Sequence, residues 1–329
     1  MRIWRLVAAV GGAAILAACG LGTSWGRLTS EEPSAAAAAG PAEPARTEKA
    51  GSIKRVYIMT DLEGVAGVRD SEQWCGPDGR YYDLARKLLT LEVNAAISGF
   101  SAGGAREIVV CDGHGRGAVD VELLDPRAQL ERGWPEGWPG PSLAAGKFDA
   151  VAWVGQHAKA GTPYAHLAHT QSWNYVDLSI NKVSIGELGQ LALCANELGV
   201  RAIFASGDKA FSEEARALVP GIETVSVKRG TTPGRGDDLT ADQYGRRNTA
   251  AVHLHPVIAR TLIRTGAERA IRRAQTETFG GIDVKRPLER VARFRPSQAG
   301  QPLLVSRESH PSSVNALINL PFNPKPEAK

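Results

Sequence analysis

Residues 54–64 read KRVYIMTDLEG, and the fold is decided by how they are interpreted. Val56, Tyr57, Ile58 and Met59 form an unbroken apolar run, the pattern of a strand covered on both faces rather than one half exposed to water. Two acids, Asp61 and Glu63, then follow with one residue between them. Continued alternation of a strand directs both carboxylates to the same side. Acids that close repel, so either one takes a proton or a cation lies between them. Taken alone, the pair fits solvated turn residues, or Asp61 as a helix cap, more readily than a metal site.

Moving outward, similar runs recur at 107–112 (EIVVCD), 149–155 (DAVAWVG), 176–180 (VDLSI), 201–206 (RAIFAS) and 222–227 (IETVSV). Helix-like patterns at 81–103, 185–199 and 211–218 separate them. Apolar strands alternating with amphipathic helices predict an α/β fold, a mostly parallel sheet with helices on both faces. Ligands of such sheets sit at the carboxyl ends of the strands. Farther on, HPVIARTLIRTGAERAIRRAQ (255–275) predicts a helix, with Pro256 in its first turn and an apolar stripe of Val257, Ile258, Leu262, Ile263, Ala267 and Ile271. Residues 281–318 suggest two or three more strands, which gives a smaller C-terminal α+β portion.

The start of the chain reads as something other than fold. MRIWRLVAAVGGAAILAAC sets Arg2 and Arg5 before a short apolar run ending in small residues. This is the layout of a secretory signal peptide, too short and wrongly flanked to span a membrane. LAAC at 16–19 resembles the bacterial lipobox, which implies cleavage before Cys19 and lipidation of its thiol. Gly20 implies sorting to the outer membrane of the cell envelope, facing the periplasm. The following Ala-, Pro- and Gly-rich stretch reads as a flexible tether. The expected plan is a signal peptide at 1–18, a tether at 19–52, a metal-binding α/β domain at 53–230, the C-terminal portion at 231–318 and an unstructured tail at 319–329.

Composition excludes several classes. A net charge of +4 over 329 residues, well mixed, lacks a nucleic-acid footprint. No repeat of solenoid or propeller period is present. No Walker A pattern or helix-opening GxGxxG offers a phosphate cradle. Beyond Cys19 three cysteines remain, Cys75, Cys111 and Cys194; the odd number argues against a disulfide scaffold.

Other strand ends carry chemistry-bearing side chains. VVCDGHGRG places His114 on a glycine-flanked turn, and VAWVGQHAKAGT places His157 at the same edge of the sheet. SIGELGQLA opens a helix with Glu187, an acid that a helix N-terminus favours for its own sake. Together, Asp61, Glu63, His114, His157 and Glu187 mix imidazole with carboxylate, which suits zinc better than calcium or magnesium. Five ligands exceed one catalytic zinc and fit two ions sharing a carboxylate.

DLEG, DGHG, GQHAKAGT, LAHT and IGELGQLA, in this order and spacing over roughly 54–275, resemble the D-aminopeptidase family of metallopeptidases. The resemblance implies two zinc ions per subunit. Asp61 bridges them, Glu63 and His114 complete one, and His157 with Glu187 complete the other. It further implies that His169 is the catalytic histidine, beside the metals without ligating them. The implied activity is removal of the N-terminal residue from short peptides, D-residue peptides included, by a water that the ion pair activates, in a homo-oligomer. The lipid anchor is an addition to the family's usual intracellular form, and the stretch after Thr276 diverges from it. A di-metal phosphoesterase or amidase, or a lipoprotein that binds peptide or metal without turnover, are the alternatives.

Overall fold

Alternate residues of the first strand serve two different cores. In β1 (Arg55–Thr60), Val56 and Ile58 pack into one apolar cluster, and Tyr57 and Met59 into another on the opposite face. The structure, a computed structural model, describes residues 51–327 apart from Arg116, Ser297 and Ala299. The expected leader, the Cys19 lipidation site and most of the tether lie outside the described residues.

β1 is central in a seven-stranded sheet with β2 (Glu107–Cys111), β3 (Ala128–Glu131), β4 (Ala150–Gln156), β7 (Arg201–Asp208), β8 (Glu223–Gly230) and β9 (Ala251–His253). The order is β3-β2-β1-β4-β7-β8-β9, parallel except for β9. A second, antiparallel sheet has the order β12-β11-β10-β5-β6, from β5 (Tyr175–Ile180), β6 (Val183–Ser184), β10 (Leu288–Phe294), β11 (Leu304–His310) and β12 (Lys325–Pro326).

Helices cover both faces of the main sheet. α1 (Ser71–Trp74) is a single turn; α2 (Tyr82–Ala102) buries Ala85, Leu89, Val93, Ile97 and Phe100 at helical spacing against the Val56 face. Full burial of side chains such as Leu89, Ile97 and Phe100 stabilises by about 1.5–3 kcal/mol each. α3 (Gly140–Gly146), α4 (Glu187–Glu197) and α5 (Lys209–Leu218) contribute Leu143, Leu188, Leu191 and Phe211 to the Tyr57 face. α6 (Ala241–Arg247) carries a capping box of Thr240 and Gln243, α7 (Pro256–Thr276) packs beside α2, and α8 (Val314–Ile318) closes the second sheet.

Several expectations change. Strand 176–180 belongs to the antiparallel sheet, between β6 and β10, and every residue of it but Asp177 is buried. Asn181 and Lys182, with φ of 49° and 68°, form the two-residue turn from β5 to β6. The boundary at 230 does not separate the sheets, because β9 and α7 return to the main layer while β5 and β6 leave it. In the tail, Lys325 and Pro326 pair with β11 rather than hanging free. The buried stripe of α7 runs through Ala259, Ile263, Ala267, Ile271 and Ala274. Val257, Ile258 and Leu262 face outward, at 51%, 52% and 43% exposure. Cys111 and Cys194 are buried, and Cys75, Cys111 and Cys194 are all free thiols.

Candidate metal centre

The strand order reverses between β1 and β4, and a crevice opens at their carboxyl ends, where ligands of open parallel sheets bind. β1 stops at Thr60, so Asp61 and Glu63 sit on a turn and not in a pleat. Their convergence comes from that turn. It presses so closely on β4 that a Cβ on Gly64 would lie 2.0 Å from the Gln156 carbonyl oxygen. The Leu62 N–H donates to Asp61 Oδ1 at 2.8 Å. His114 follows β2, His157 follows β4, and Glu187 is the first residue of α4.

The structure brings all five together. His114 Nδ1 lies 2.9 Å from Asp61 Oδ1 and 3.0 Å from Glu63 Oε2. His157 Nε2 lies 3.1 Å from Asp61 Oδ2 and 3.6 Å from Glu187 Oε1. His169 stacks on His157 with ring centroids 3.8 Å apart, and its Nε2 is 3.9 Å from Glu187 Oε1. Trp173 also packs against His169, with ring centroids 4.4 Å apart.

Each imidazole has one nitrogen bound outward to a carbonyl, which can only accept. His114 Nε2 donates to Cys75 O at 2.7 Å, His157 Nδ1 to Ala158 O at 2.9 Å and His169 Nδ1 to Leu167 O at 2.9 Å. The inward nitrogen of a neutral ring is then a lone pair aimed at carboxylate oxygens, an arrangement that requires a proton or a cation. Glu63 Oε2 and His157 Nε2 are buried without a hydrogen-bond partner among the described residues.

Electrostatics agree. Burial disfavours imidazolium, yet the neighbouring Glu63 and Asp61 push His114 well above its ordinary pKa, and Glu187 with Asp61 do the same for His157. Burial would raise Asp61, but the adjacent His114 and His157 imidazoles hold it below the usual carboxylate range. Burial opposes ionisation of Glu187 too, and the His157 charge overcomes it, lowering its pKa to about 2. His169 is lowered by burial and by the His157 charge, which favours its neutral form. The set attracts positive charge, and its hard oxygens and borderline imidazoles fit zinc.

Asp61, Glu63 and His157 offer donor atoms within 4.8 Å of one another, and so do His157, His169 and Glu187. Geometry alone therefore admits His169 as a ligand. An apolar cavity of about 220 Å³ lined by Ile180, Val183, Ile185, Leu193 and Ile282, among others, touches none of these residues.

Gln156 is the participant that sequence reasoning missed. Its Nε2 donates to Asp61 Oδ2 at 2.7 Å and to Glu187 Oε2 at 3.1 Å. A polar residue closing the otherwise apolar AVAWVGQ was the available clue. Asp112, beside these residues in sequence, accepts from the Ala118 and Val119 N–H groups and pairs with Arg132.

His166 is fully buried away from the centre, its Nε2 donating to Arg69 O at 2.8 Å. Burial and the Lys228 charge lower its pKa to about 2. The unfolded chain, with a histidine near 6.5, binds that proton more readily. Its contribution to stability is thus complete above about pH 6.5 and is lost as pH falls toward the folded value. Below pH 6 we expect wild type to lose about 1.4 kcal/mol per pH unit more than His166→Gln. Urea unfolding at several pH values checks this, and parallel slopes contradict it.

The sequence profile of the family described as D-aminopeptidase matches residues 54–301. The D-aminopeptidase of Bacillus subtilis (strain 168) is 29% identical over 193 residues, 58% of this chain and 70% of that protein. A solved structure described as the Zn-dependent D-aminopeptidase DppA from Bacillus subtilis, a self-compartmentalizing protease, matches with a TM-score of 0.66 at 21% identity. The match covers 80% of this chain and 94% of that one. That likeness bears on the fold alone. With the profile spanning most of its length, the chain belongs to the D-aminopeptidase family of peptidases.

Proposed function

We propose that this chain is a zinc-dependent aminopeptidase that releases the N-terminal residue of short peptides, D-residue peptides among them. Asp61, Glu63, His114, His157 and Glu187 would hold two zinc ions. The observation that carries the reading is the set of carbonyl-pinned imidazoles facing buried carboxylates. Asp61 directs Oδ1 to His114 and Oδ2 to His157, one oxygen to each half of the site, as a bridging ligand requires.

Zinc held there supplies Lewis acidity that polarises a peptide carbonyl and acidifies a water. The chain's own groups do the rest. Gln156, donating to both Asp61 and Glu187, orients their carboxylates. His169, neutral and with Nδ1 tied to Leu167, presents Nε2 to the centre, where it takes a proton and passes it to the departing amine. His157 and Trp173 both pack against its ring.

The test is a panel of D- and L-aminoacyl dipeptides, with zinc and with a chelator. Zinc-dependent release of the N-terminal residue supports the reading. Turnover of phosphate esters alone, or zinc binding without any turnover, contradicts it.

The sequence at 16–19 further motivates anchoring through a lipidated Cys19. Labelled palmitate is expected in wild type expressed in a two-membrane bacterium and absent from Cys19→Ser. Equal labelling, or none in wild type, removes the proposal.

A further inference from the structure

The turn after Glu63 is held by side chains from elements remote in sequence. Lys228 of β8, 3% exposed, donates from Nζ to the carbonyl oxygen of Glu63 and, at 3.2 Å, to that of Val68. Glu92 of α2 accepts the Ala66 N–H at 3.0 Å. Nδ1 of His253, in β9, accepts the Gly67 N–H at 3.1 Å, and His166 donates to Arg69 O at 2.8 Å. Backbone groups of Glu63, Ala66, Gly67, Val68 and Arg69 are thus bonded to side chains from three secondary-structure elements and one loop. A buried ammonium is costly, and an apolar side chain would fill the space under a turn without that cost.

We infer that Lys228 is a positioning residue for one half of the zinc centre, holding the backbone of Glu63 so that its carboxylate meets His114. The inference rests on the two-zinc reading above. The same turn runs on into α1 and Cys75, whose carbonyl binds His114 Nε2, so it supports both Glu63 and His114. None of these bonds from Lys228, Glu92, His253 and His166 reaches His157 or Glu187. Asp61 is held separately from β4, by its own N–H to Val154 O at 3.0 Å and by Gln156, so loosening the turn beyond it weakens the ion at Glu63 and His114 and leaves the other held. Groups that orient metal ligands are typically worth about 10–100-fold in metal affinity.

The experiment uses the full chain, its zinc affinities measured by competition with a chromophoric chelator. Lys228→Met keeps the apolar stem and removes the donors. It is expected to hold one ion within about twofold of wild type and to bind the other about 10–100-fold more weakly. Two ions at wild-type affinity overturn the inference, as does equal weakening of both. Should Lys228→Met fail to fold, His253→Ala, which frees the Gly67 N–H from a half-buried side chain, carries the same test. Selective weakening of one ion supports the inference, and unchanged binding of both overturns it. Fewer than two zinc ions in wild type would instead overturn the two-zinc reading itself.

Discussion

Asp61→Asn is expected to lower peptide hydrolysis roughly a thousandfold or more, about 4 kcal/mol of transition-state stabilisation, in a chain that stays folded. Asp61 is buried, its oxygens divided between His114 and His157, with Gln156 donating to one of them and Leu62 to the other. The amide keeps the size but loses the charge and one acceptor. In the proposed two-zinc centre, an anionic bridge would then be replaced by a neutral group able to serve one ion only. Measuring kcat/KM, zinc per chain and circular dichroism together checks this. Activity within tenfold of wild type contradicts it.

The second large effect separates His169 from the ligands. His169→Ala is expected to lower kcat by about two to four powers of ten, the range of a general acid–base group, while both zinc ions stay bound and KM changes little. Its Nε2 is 3.9 Å from Glu187 Oε1, and its Nδ1 proton is committed to Leu167, so the free lone pair is what it offers the reaction. Loss of a zinc ion in this variant would make His169 a ligand, as its grouping with His157 and Glu187 allows. Full zinc content with unchanged kcat would remove it from the chemistry.

Much of this arrangement could be read from residue types alone. The apolar runs at β1, β2 and β4 and the side chains just past them announced a parallel sheet with a site at its carboxyl edge. Side-chain alternation gave the right result for Asp61 and Glu63 for the wrong reason, since both stand on a turn. What escaped reading depends on distant partners. β5 pairs in the second sheet and its residues do not announce it: all but Asp177 are buried, and a short apolar strand does not name its neighbour. Val257, Ile258 and Leu262 read as core because periodicity finds a stripe without saying how wide its covered part is. Gln156, Lys228 and the Cys75 carbonyl act through bonds across 31 to 165 positions, and no local pattern records such pairings.

The most direct measurement is anomalous diffraction at the zinc edge from crystals grown with zinc. Two peaks per chain are expected, one against Glu63 and His114, the other against His157 and Glu187, with Asp61 touching both. A single peak, or metal bound away from these side chains, contradicts the account.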